Sequence, residues 1–589
     1  MPRLNRWNWL CGIALCLLVP GISWGERPSA PLLLPEDTLA MIRLTNVAES
    51  RQRFNETSGG KLVSDPEIAP LVSKLYTSLG EWWNDIEDRV GLPLDQILAI
   101  PQGEICVAVV PQVDARPALI ALIDVKDKMA AAQRLLDKGE AALVEQGGSK
   151  TIEIIDDVRC SVYSGPAGRR QLLQFEKDGT LALVTSTEAA KALLAAWKGA
   201  EGKHLADNER FGAIMNRCRG AKDDPAPFTW YVDPINIARN LARGNVGAQT
   251  ALNFIPILGL DGIQGVGGSM IFNSGEFDSV GHIHMLLSNP RGGVLELATL
   301  GNGDTTPEPW VPADAASYLT VHWDLNGMYR RGAKLYNGLT EEGAFEKEVK
   351  DRVKQAVDLD FETELLPHIA GRVTTFSWVQ KPYKLNSQTN VVGLKLTDAK
   401  AFGPILDKLL ARIPEGTEKV AFGGVSYHRV KVRPRPEGGP PADLIREPNP
   451  CIGIVGDYVL ASDSEDAFNH AIAAQSDGEK QLASQLDYKL IAGKIRRQSG
   501  GETPGVVSFN RPEEPLRMLY EVARSESAKT QLNRAADGGN RGFNILKTAL
   551  EEHPLPPFGV IEKYLAPGGS VLTNEETGFH WMLFQLKRK

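Results

Sequence analysis

Cysteine is scarce in this sequence, with six residues among 589. Cys106, Cys160, Cys218 and Cys451 are those that follow Gly25, and no two of them have the CxxC spacing of a zinc site or redox motif. The pattern argues against a cysteine-based zinc centre. Two alternatives stay open for these residues: a single bridge between Cys106 and Cys160, or buried free thiols.

An excess of positive charge is also missing. The formal net charge is −8, and it becomes −10 once Arg3 and Arg6 are removed with the N-terminal segment that ends at Gly25. Nucleic-acid phosphates require a basic surface, so a nucleic-acid partner is not expected. Beyond Gly25 no apolar run reaches the roughly 20 residues that a membrane-spanning helix needs. We therefore predict no transmembrane segment in the mature chain.

The motifs that mark common catalytic sites are absent as well. The sequence contains no nucleophile elbow, Walker loop or HExxH helix. The adjacent acids Asp156-Asp157 and Asp223-Asp224 are typical of turns, whereas acid–base catalysis needs two carboxylates that converge in one pocket. We assign no catalytic residue and no cofactor-binding residue from the sequence, and we expect no cofactor.

One pair of histidines remains as a metal-ligand candidate. His282 and His284 are two positions apart, so on a strand both imidazoles point to one face and could share a metal ion. The alternative is a packing face, because these positions align with Phe579 and Trp581 in the repeat described below. In that alignment His580 points the other way. The packing alternative is favoured.

The N-terminal segment 1–25 predicts export. Arg3 and Arg6 precede the apolar run Trp9–Val19, and Ser23 and Gly25 supply the small residues of a cleavage site before Glu26. The alternative is an uncleaved anchor. Cleavage between Gly25 and Glu26 predicts a periplasmic or extracellular protein.

The chain also contains an internal repeat. Leu181–Asn216 recurs without a gap at Tyr458–Gly493, with eight of thirty-six positions identical. Pro35-Glu36-Asp37 meets Pro312-Ala313-Asp314 at the same sequence offset. The identical pairs are Leu183/Leu460, Glu188/Glu465, Ala190/Ala467, Ala196/Ala473, Lys203/Lys480, Leu205/Leu482, Ala206/Ala483 and Ile214/Ile491.

This repeat predicts a tandem duplication. Short strand-like runs with single helices inserted between them favour an α+β fold, in which each of two related units is an antiparallel sheet with helices packed on it. The predicted organisation is a signal peptide over 1–25, a Pro-rich lead over 26–34, a first α+β unit over 35–300, a linker over 301–311 and a second α+β unit over 312–589.

Three local predictions accompany this organisation. Residues 293–300 are expected to form the last strand of the first half. The apolar segment 250–263 is expected to be a core lid rather than a membrane contact. The proline-rich stretch 433–450 has no clear counterpart in the first half, and it is expected to be a stiff surface loop, with a partner-binding excursion as the alternative.

Three segments carry a family resemblance: LLLPEDTLAMIRL after the signal peptide, SDPEI, and LALVTSTEAAKALL. With these segments the chain resembles an uncharacterised family of exported bacterial proteins, frequent in planctomycete-type genomes, that carry a domain of unknown function. The resemblance implies export and an α+β build. It implies no activity, cofactor or site residue.

The function favoured by the sequence is a non-enzymatic binding or interaction protein of the cell envelope or periplasm, whose partner is a protein or small ligand held between or across the two halves. Duplicated units often place a site at their interface. The alternative is a secreted hydrolase whose catalytic residues are distant in sequence. A structural envelope component is the third possibility.

Overall fold

The computed structural model describes residues 27–76, 94–113, 115–165, 171–220, 224–298, 300–413, 415–432, 444–499, 504–539 and 541–588. The predicted signal peptide, the cleavage site at Gly25 and Glu26, and residues 433–443 of the proline-rich stretch lie outside these ranges. The chain divides into two compact units, Met1–Val47 with Ile86–Asn208 and Ala48–Asp85 with Glu209–Lys589. The fold is α+β with antiparallel pairing, as predicted.

The first compact unit contains one antiparallel sheet. Its strands follow the order β1-β2-β3-β7-β6-β5-β4. They are β1 (Ala40–Leu44), β2 (Ile105–Val110), β3 (Ala118–Asp124), β4 (Ser149–Ile155), β5 (Val158–Ser164), β6 (Gln171–Lys177) and β7 (Thr180–Val184).

The second compact unit also contains one antiparallel sheet. Its strands are β8 (Phe228–Val232), β9 (Ile263–Ser274), β10 (Phe277–Leu287), β11 (Ser317–His322), β12 (Ile369–Val379), β13 (Gln388–Leu396), β14 (Thr417–Phe422), β15 (Val425–Val430), β16 (Cys451–Val455), β17 (Tyr458–Ser462), β18 (Val506–Asn510), β19 (Gly568–Glu575) and β20 (Gly578–Leu586).

Strand order in this sheet runs β8-β9-β10-β20-β19-β18-β11-β12-β13-β17-β16-β15-β14. The section β11-β12-β13-β17-β16-β15-β14 has the same connectivity as β1 to β7 of the first compact unit. Strands β10 and β20, which come from different halves of the sequence, pair with each other. That pairing makes the sheet continuous.

The helices alternate with these strands. In chain order they are α1 (Ala30–Leu33), α2 (Val47–Glu56), α3 (Ser58–Val63), α4 (69–76), α5 (Leu94–Leu98), α6 (Met129–Glu145), α7 (Thr187–Trp197), α8 (Glu209–Cys218), α9 (Pro234–Leu241), α10 (Val246–Leu252), α11 (Phe254–Ile257), α12 (Val294–Leu297), α13 (Leu325–Leu339), α14 (Ala344–Val357), α15 (Ala399–Leu410), α16 (Glu465–Gln475), α17 (Leu486–Gln498), α18 (Glu513–Arg524), α19 (Glu526–Asp537), α20 (Arg541–Glu552) and α21 (Gly559–Glu562).

Helix starts follow local capping chemistry. The Ser186 hydroxyl accepts a hydrogen bond from the Ala189 amide at the start of α7, and Ser464 does the same for Ala467 at α16. Among the described residues, no helix combines the length and the apolar character needed to cross a bilayer.

Two local predictions were wrong. In the expected strand 293–300, residues 294–297 form α12 instead: the helix begins after Gly293, which has φ +59°, and the Val294 amide donates to the Leu258 carbonyl over 2.8 Å. The segment 250–263 is not a core lid. Phe254 and Ile257 are exposed, because the segment breaks into two short helices and neither buries a residue.

Residues that align in the sequence repeat make similar contacts on the two sides of the β10–β20 pair. Phe211 meets Tyr231 edge to face with ring centroids 5.4 Å apart, and Tyr488 meets Phe509 at 5.6 Å. Ile214 lies over Gly267, and Ile491, its partner in the sequence repeat, lies over Gly569. Glycine is required here because an added Cβ would come within 2.7 Å of Ile214 Cγ2 or 2.6 Å of Ile491 Cγ2.

The segment predicted to be a linker contributes to the core. Residues 301–311 form no helix or strand, yet Glu308, Trp310 and Val311 are buried in the second compact unit. Trp310 packs at 5.9 Å from Phe376 and 5.4 Å from Tyr458. The segment 301–311 is therefore a connection whose last residues are packed in the core.

Glu308 of this segment forms a buried ion pair with Arg372. Arg372 Nε on β12 is 2.9 Å from Glu308 Oε1, and that oxygen also accepts from the Thr374 hydroxyl at 2.6 Å and the Tyr458 hydroxyl at 2.8 Å. Arg372 donates to Thr320 Oγ1 at 3.0 Å as well. Burial and the nearby Glu308 carboxylate raise the pKa of Tyr458, so this phenol stays protonated as a donor.

The four cysteines are free and buried. Of the two alternatives left open by the sequence, the structure shows the free thiols. Burial raises the pKa of Cys106, Cys218 and Cys451 to about 12 each. A thiol in that state is a weak nucleophile, so these cysteines act as small apolar core residues.

Substitution of Gly569 by alanine tests the close approach of α17 to β19. We expect Gly569→Ala to lower the free energy of unfolding by about 1–3 kcal/mol, because the added methyl overlaps Ile491. Gly212→Ala in α8 is the matched control: a Cβ there meets nothing within 4 Å, so stability should stay or rise by up to about 1 kcal/mol. Urea titration measures both, and equal effects would contradict the close approach.

Removing one member of the buried pair should be costly. Arg372→Met leaves the buried Glu308 side chain without its ion-pair partner, with an expected loss of about 3–5 kcal/mol in the free energy of unfolding. Adding Glu308→Gln to that variant removes the charge but keeps an acceptor, and it should recover most of the loss. A double-mutant cycle by urea unfolding checks this, and a loss below about 1 kcal/mol for Arg372→Met would show that the site is well solvated.

Candidate functional site

The β10–β20 pairing assembles three histidines. In its register His284 lies directly opposite His580, and His282 lies opposite Met582. Directly paired residues of antiparallel strands point to the same face, and residues two apart on one strand do so too. His282, His284 and His580 therefore share one face of the sheet; we call them the histidine triplet.

Within the triplet the rings contact one another. His282 Nδ1 is 3.2 Å from His580 Nε2, which is hydrogen-bonding distance, and their rings stack with centroids 5.3 Å apart. His284 lies 5.6 Å from His580. The Nδ1 atoms of His284 and His580 are buried and have no hydrogen-bond partner in the described part of the chain.

The triplet is uncharged near neutral pH. Burial is the main cause of the lowered pKa of all three imidazoles, and the nearby Arg217 guanidinium lowers them further. The effect is largest for His580, whose pKa falls to about 3. A neutral imidazole offers one donor and one acceptor, so the contact between His282 and His580 is a hydrogen bond in which one ring donates to the other.

An arginine–carboxylate pair lies next to the triplet. Helix α8 carries Arg217 near its end, and strand β19 carries Glu575 at its last position. Arg217 Nε donates to Glu575 Oε2 over 2.8 Å, and an Nη2 contact to Oε1 makes the pair bidentate. The Thr573 hydroxyl donates to the same carboxylate over 2.9 Å. Burial works to raise the pKa of Glu575, but these two donors outweigh it and lower the pKa.

Arg291, which lies outside the β19–β20 hairpin, contacts the end of β19. Arg291 donates to Asn574 Oδ1 over 2.6 Å and to the Glu575 carbonyl over 2.7 Å. Its guanidinium carbon also lies 4.6 Å from the centre of the Phe579 ring. These contacts fix the position of Glu575 relative to β10.

A cavity of about 560 Å³ opens against these groups. That volume is within the range of small-molecule sites. Two of its lining residues, Arg217 and His282, come from the first half of the sequence, and the rest come from the second half. The full lining is Arg217, His282, Gln498, Ser499, Val571, Thr573, Asn574, Glu575, Glu576, Thr577, His580 and Met582.

The charges of this lining nearly cancel. Arg217 and Glu575 neutralise each other, the histidines are neutral, and Glu576 is exposed at the mouth. What remains is a set of hydroxyl, amide and imidazole groups beside apolar side chains such as that of Met582. Such a wall suits a ligand that forms several hydrogen bonds without a large net charge.

The structure brings the two sequence-predicted metal candidates together with a third histidine. His284 is buried and His282 is half-buried on the wall of the cavity. In the described ranges, no group of three or more His, Cys, Asp or Glu side chains is arranged to hold a metal ion. His282 Nδ1 is within hydrogen-bond distance of His580 Nε2, so these two imidazoles form a hydrogen-bonded pair.

Sequence reasoning missed the role of His580. The alignment placed it on the opposite face from the positions equivalent to His282 and His284, and it took Phe579 and Trp581 as a packing face. Instead, Trp581 is exposed and His580 is buried on the face that holds the triplet. The cause is the antiparallel pairing of β10 with β20, which come from opposite halves of the sequence. No local pattern signals it, and the same holds for Arg217 and Glu575.

No family model matches this sequence, and no curated protein matches it. The chain is similar to a solved structure titled "Structure of crystal form III of TP0453", with 7% sequence identity and a TM-score of 0.22. The match covers 46% of this chain and 87% of that chain. A likeness at this TM-score carries no argument about fold or function.

The buried triplet makes a pH-dependent contribution to stability. The pKa of His580 is about 3 in the folded chain, below its unfolded value near 6.5, so the unfolded chain binds more protons between these values. This contribution is present above pH 6.5 and is lost as pH falls, by about 1.4 kcal/mol per pH unit. From pH 6.5 to about pH 5 the expected loss from His580 is roughly 2 kcal/mol.

His580→Gln removes the titrating group and keeps a side chain that can hydrogen-bond. The variant should therefore lose less stability than the wild type over the same pH interval. Urea unfolding at several pH values measures the slope. A variant with the wild-type slope would show that His580 is solvated in the folded chain.

Proposed function

We propose that this chain is an exported, non-enzymatic binding protein of the cell envelope that holds a small polar ligand in the cavity beside the histidine triplet. The observation that carries the proposal is the composition of the cavity wall. Groups that can donate and accept hydrogen bonds converge on a space of about 560 Å³, and the charges of Arg217 and Glu575 offset each other. Sugars, polyols and zwitterionic amino acids have the matching chemistry.

The interpretation as a non-enzymatic protein is supported by the group that forms a hydrogen bond with His282. A histidine that activates a nucleophile must reach a hydroxyl or thiol within hydrogen-bond distance. Among the described residues, the ring that meets His282 at that distance is His580. The Thr573 hydroxyl, which also lines the cavity, donates to Glu575 and so holds a carboxylate in place.

The proposal includes a tandem duplication. Its support is the shared strand order of β1 to β7 and β11 to β17, together with the repeated contacts of α8 and α17. Phe211 and Tyr488, which are equivalent in the sequence repeat, pack on Tyr231 and Phe509, so these two aromatic residues are also equivalent. The two halves then meet where β10 pairs with β20, and the cavity lies at that junction.

Export also belongs to the proposal and rests on the sequence of residues 1–25. Cleavage after Gly25 would release a chain that starts at Glu26 and works in the periplasm or outside the cell. The small ligand would then come from the envelope or its surroundings.

Ligand screening on the mature chain tests the proposal. Differential scanning fluorimetry against sugars, polyols, amino acids and dicarboxylates should find a compound that raises the melting temperature. A ligand present at roughly 100 times its Kd stabilises the folded chain by about 2.7 kcal/mol. Neutral or zwitterionic compounds should outperform dicarboxylates.

A tryptophan at the mouth of the cavity supplies the specific control. Glu576 is exposed and lines the cavity, so Glu576→Trp should abolish the thermal shift without unfolding the chain. Glu447 is exposed outside the cavity lining, and Glu447→Trp should keep the shift. Equal shifts in both variants would place binding elsewhere, and conversion of the bound compound to a product would support the hydrolase alternative.

A further inference from the structure

Residues 241–257 form an exposed apolar surface in the second compact unit; we call this segment the apolar patch. Leu241 is 72% exposed, Val246 79%, Phe254 55% and Ile257 49%. Ala242 is the one buried residue of the segment, all of which the structure describes. Large apolar side chains grouped in this way mark an interaction surface.

The patch is anchored at both ends but open between them. Before it, the Asp233 carboxylate caps α9 by accepting from the Asn236 amide over 2.9 Å, and Asn240 is buried. After it, the Leu258 carbonyl accepts from the Val294 amide. Between these anchors a Cβ added at Gly244 would meet no atom within 4 Å. The short helices α10 and α11 are therefore held to the unit while their apolar side chains face outward.

The charge of this part of the chain has one sign. No aspartate or glutamate occurs between Asp233 and Asp261, while Arg239 just before the patch and Arg243 within it are exposed. This contrasts with the chain as a whole, whose net charge is −8. Exposed apolar side chains combined with arginines and no acids are the features of a segment that lies in a lipid interface.

We propose that the apolar patch docks this protein peripherally on an anionic lipid bilayer. Leu241, Val246, Phe254 and Ile257 enter the boundary between headgroups and acyl chains, and Arg239 and Arg243 meet the lipid phosphates. A membrane surface fits better than a second copy of the chain, because two copies would bring their arginines together without an acidic partner from the same segment. This inference is independent of the cavity and its ligand.

Cosedimentation with vesicles tests the proposal on the mature chain, residues 26–589. The probes are vesicles of equal parts phosphatidylglycerol and phosphatidylcholine, and vesicles of phosphatidylcholine alone. We expect binding to the anionic vesicles that weakens with salt. The double variant Phe254→Ser/Ile257→Ser should bind roughly tenfold more weakly, because it removes two of the apolar side chains that are buried on docking.

The matched control uses two exposed isoleucines outside the patch. Ile152 is 50% exposed and Ile154 77%, so Ile152→Ser/Ile154→Ser removes similar apolar surface and should leave vesicle binding unchanged. Arg239→Gln/Arg243→Gln should weaken binding to anionic vesicles roughly tenfold and leave binding to neutral vesicles unchanged.

Several results would overturn the proposal. They are no cosedimentation of the wild type with anionic vesicles, wild-type binding by the Phe254→Ser/Ile257→Ser variant, or an equal loss in the isoleucine control. Sedimentation equilibrium covers the remaining occupant: a wild-type dimer that this variant converts to monomers would assign the patch to contact between copies. A failed ligand screen leaves all of these results unaffected.

Discussion

The antiparallel pairing of β10 with β20 is the contact on which the second compact unit depends. It joins the last hairpin of the first half of the sequence to the last hairpin of the second half, and it makes one continuous sheet from strands that are distant along the chain. The same register places His580 opposite His284. A slip by one position would turn His580 to the other face and bring Trp581 inward, so the chemistry of the cavity is tied to this register.

Burial then decides the charge state of that chemistry. The three imidazoles are kept neutral because desolvation disfavours their protonated forms and Arg217 adds to the effect. Glu575 accepts hydrogen bonds from Arg217, and because these bonds lower its pKa, the carboxyl group stays ionised. In the core, Glu308 and Arg372 are both buried and form a direct ion pair. A near-neutral cavity thus results from the packing, although several titratable side chains lie in or beside its wall.

Much of the fold could be predicted from the sequence because its signals are local. The α+β class follows from short apolar runs between turns, and strands such as Ala118–Asp124 and Phe228–Val232 form on runs of this kind. The site could not be predicted in this way. His282 and His284 were visible as a pair, but Arg217, Glu575 and His580 join them through contacts between distant strands. Residues 293–300 were misread because a positive φ at Gly293 starts a helix where the apolar pattern alone suggests a strand.

The exposure of the apolar patch can be compared with the burial of apolar residues in the corresponding connection of the second half. The chain between β8 and β9 holds α9 to α11, and the chain between β18 and β19 holds α18 to α21, so under the proposed duplication the two connections are equivalent. In the second connection Tyr520 and Phe558 are buried in a cluster with Ile68. In the first connection Phe254 and Ile257 are exposed. The second connection also exposes Leu519, Phe543 and Leu546, but it contributes buried residues to a core cluster, whereas the segment 241–257 buries only Ala242. The position in the fold therefore does not by itself require an apolar segment to lie almost wholly on the surface, and the exposure of residues 241–257 is consistent with a surface beyond the chain that covers them.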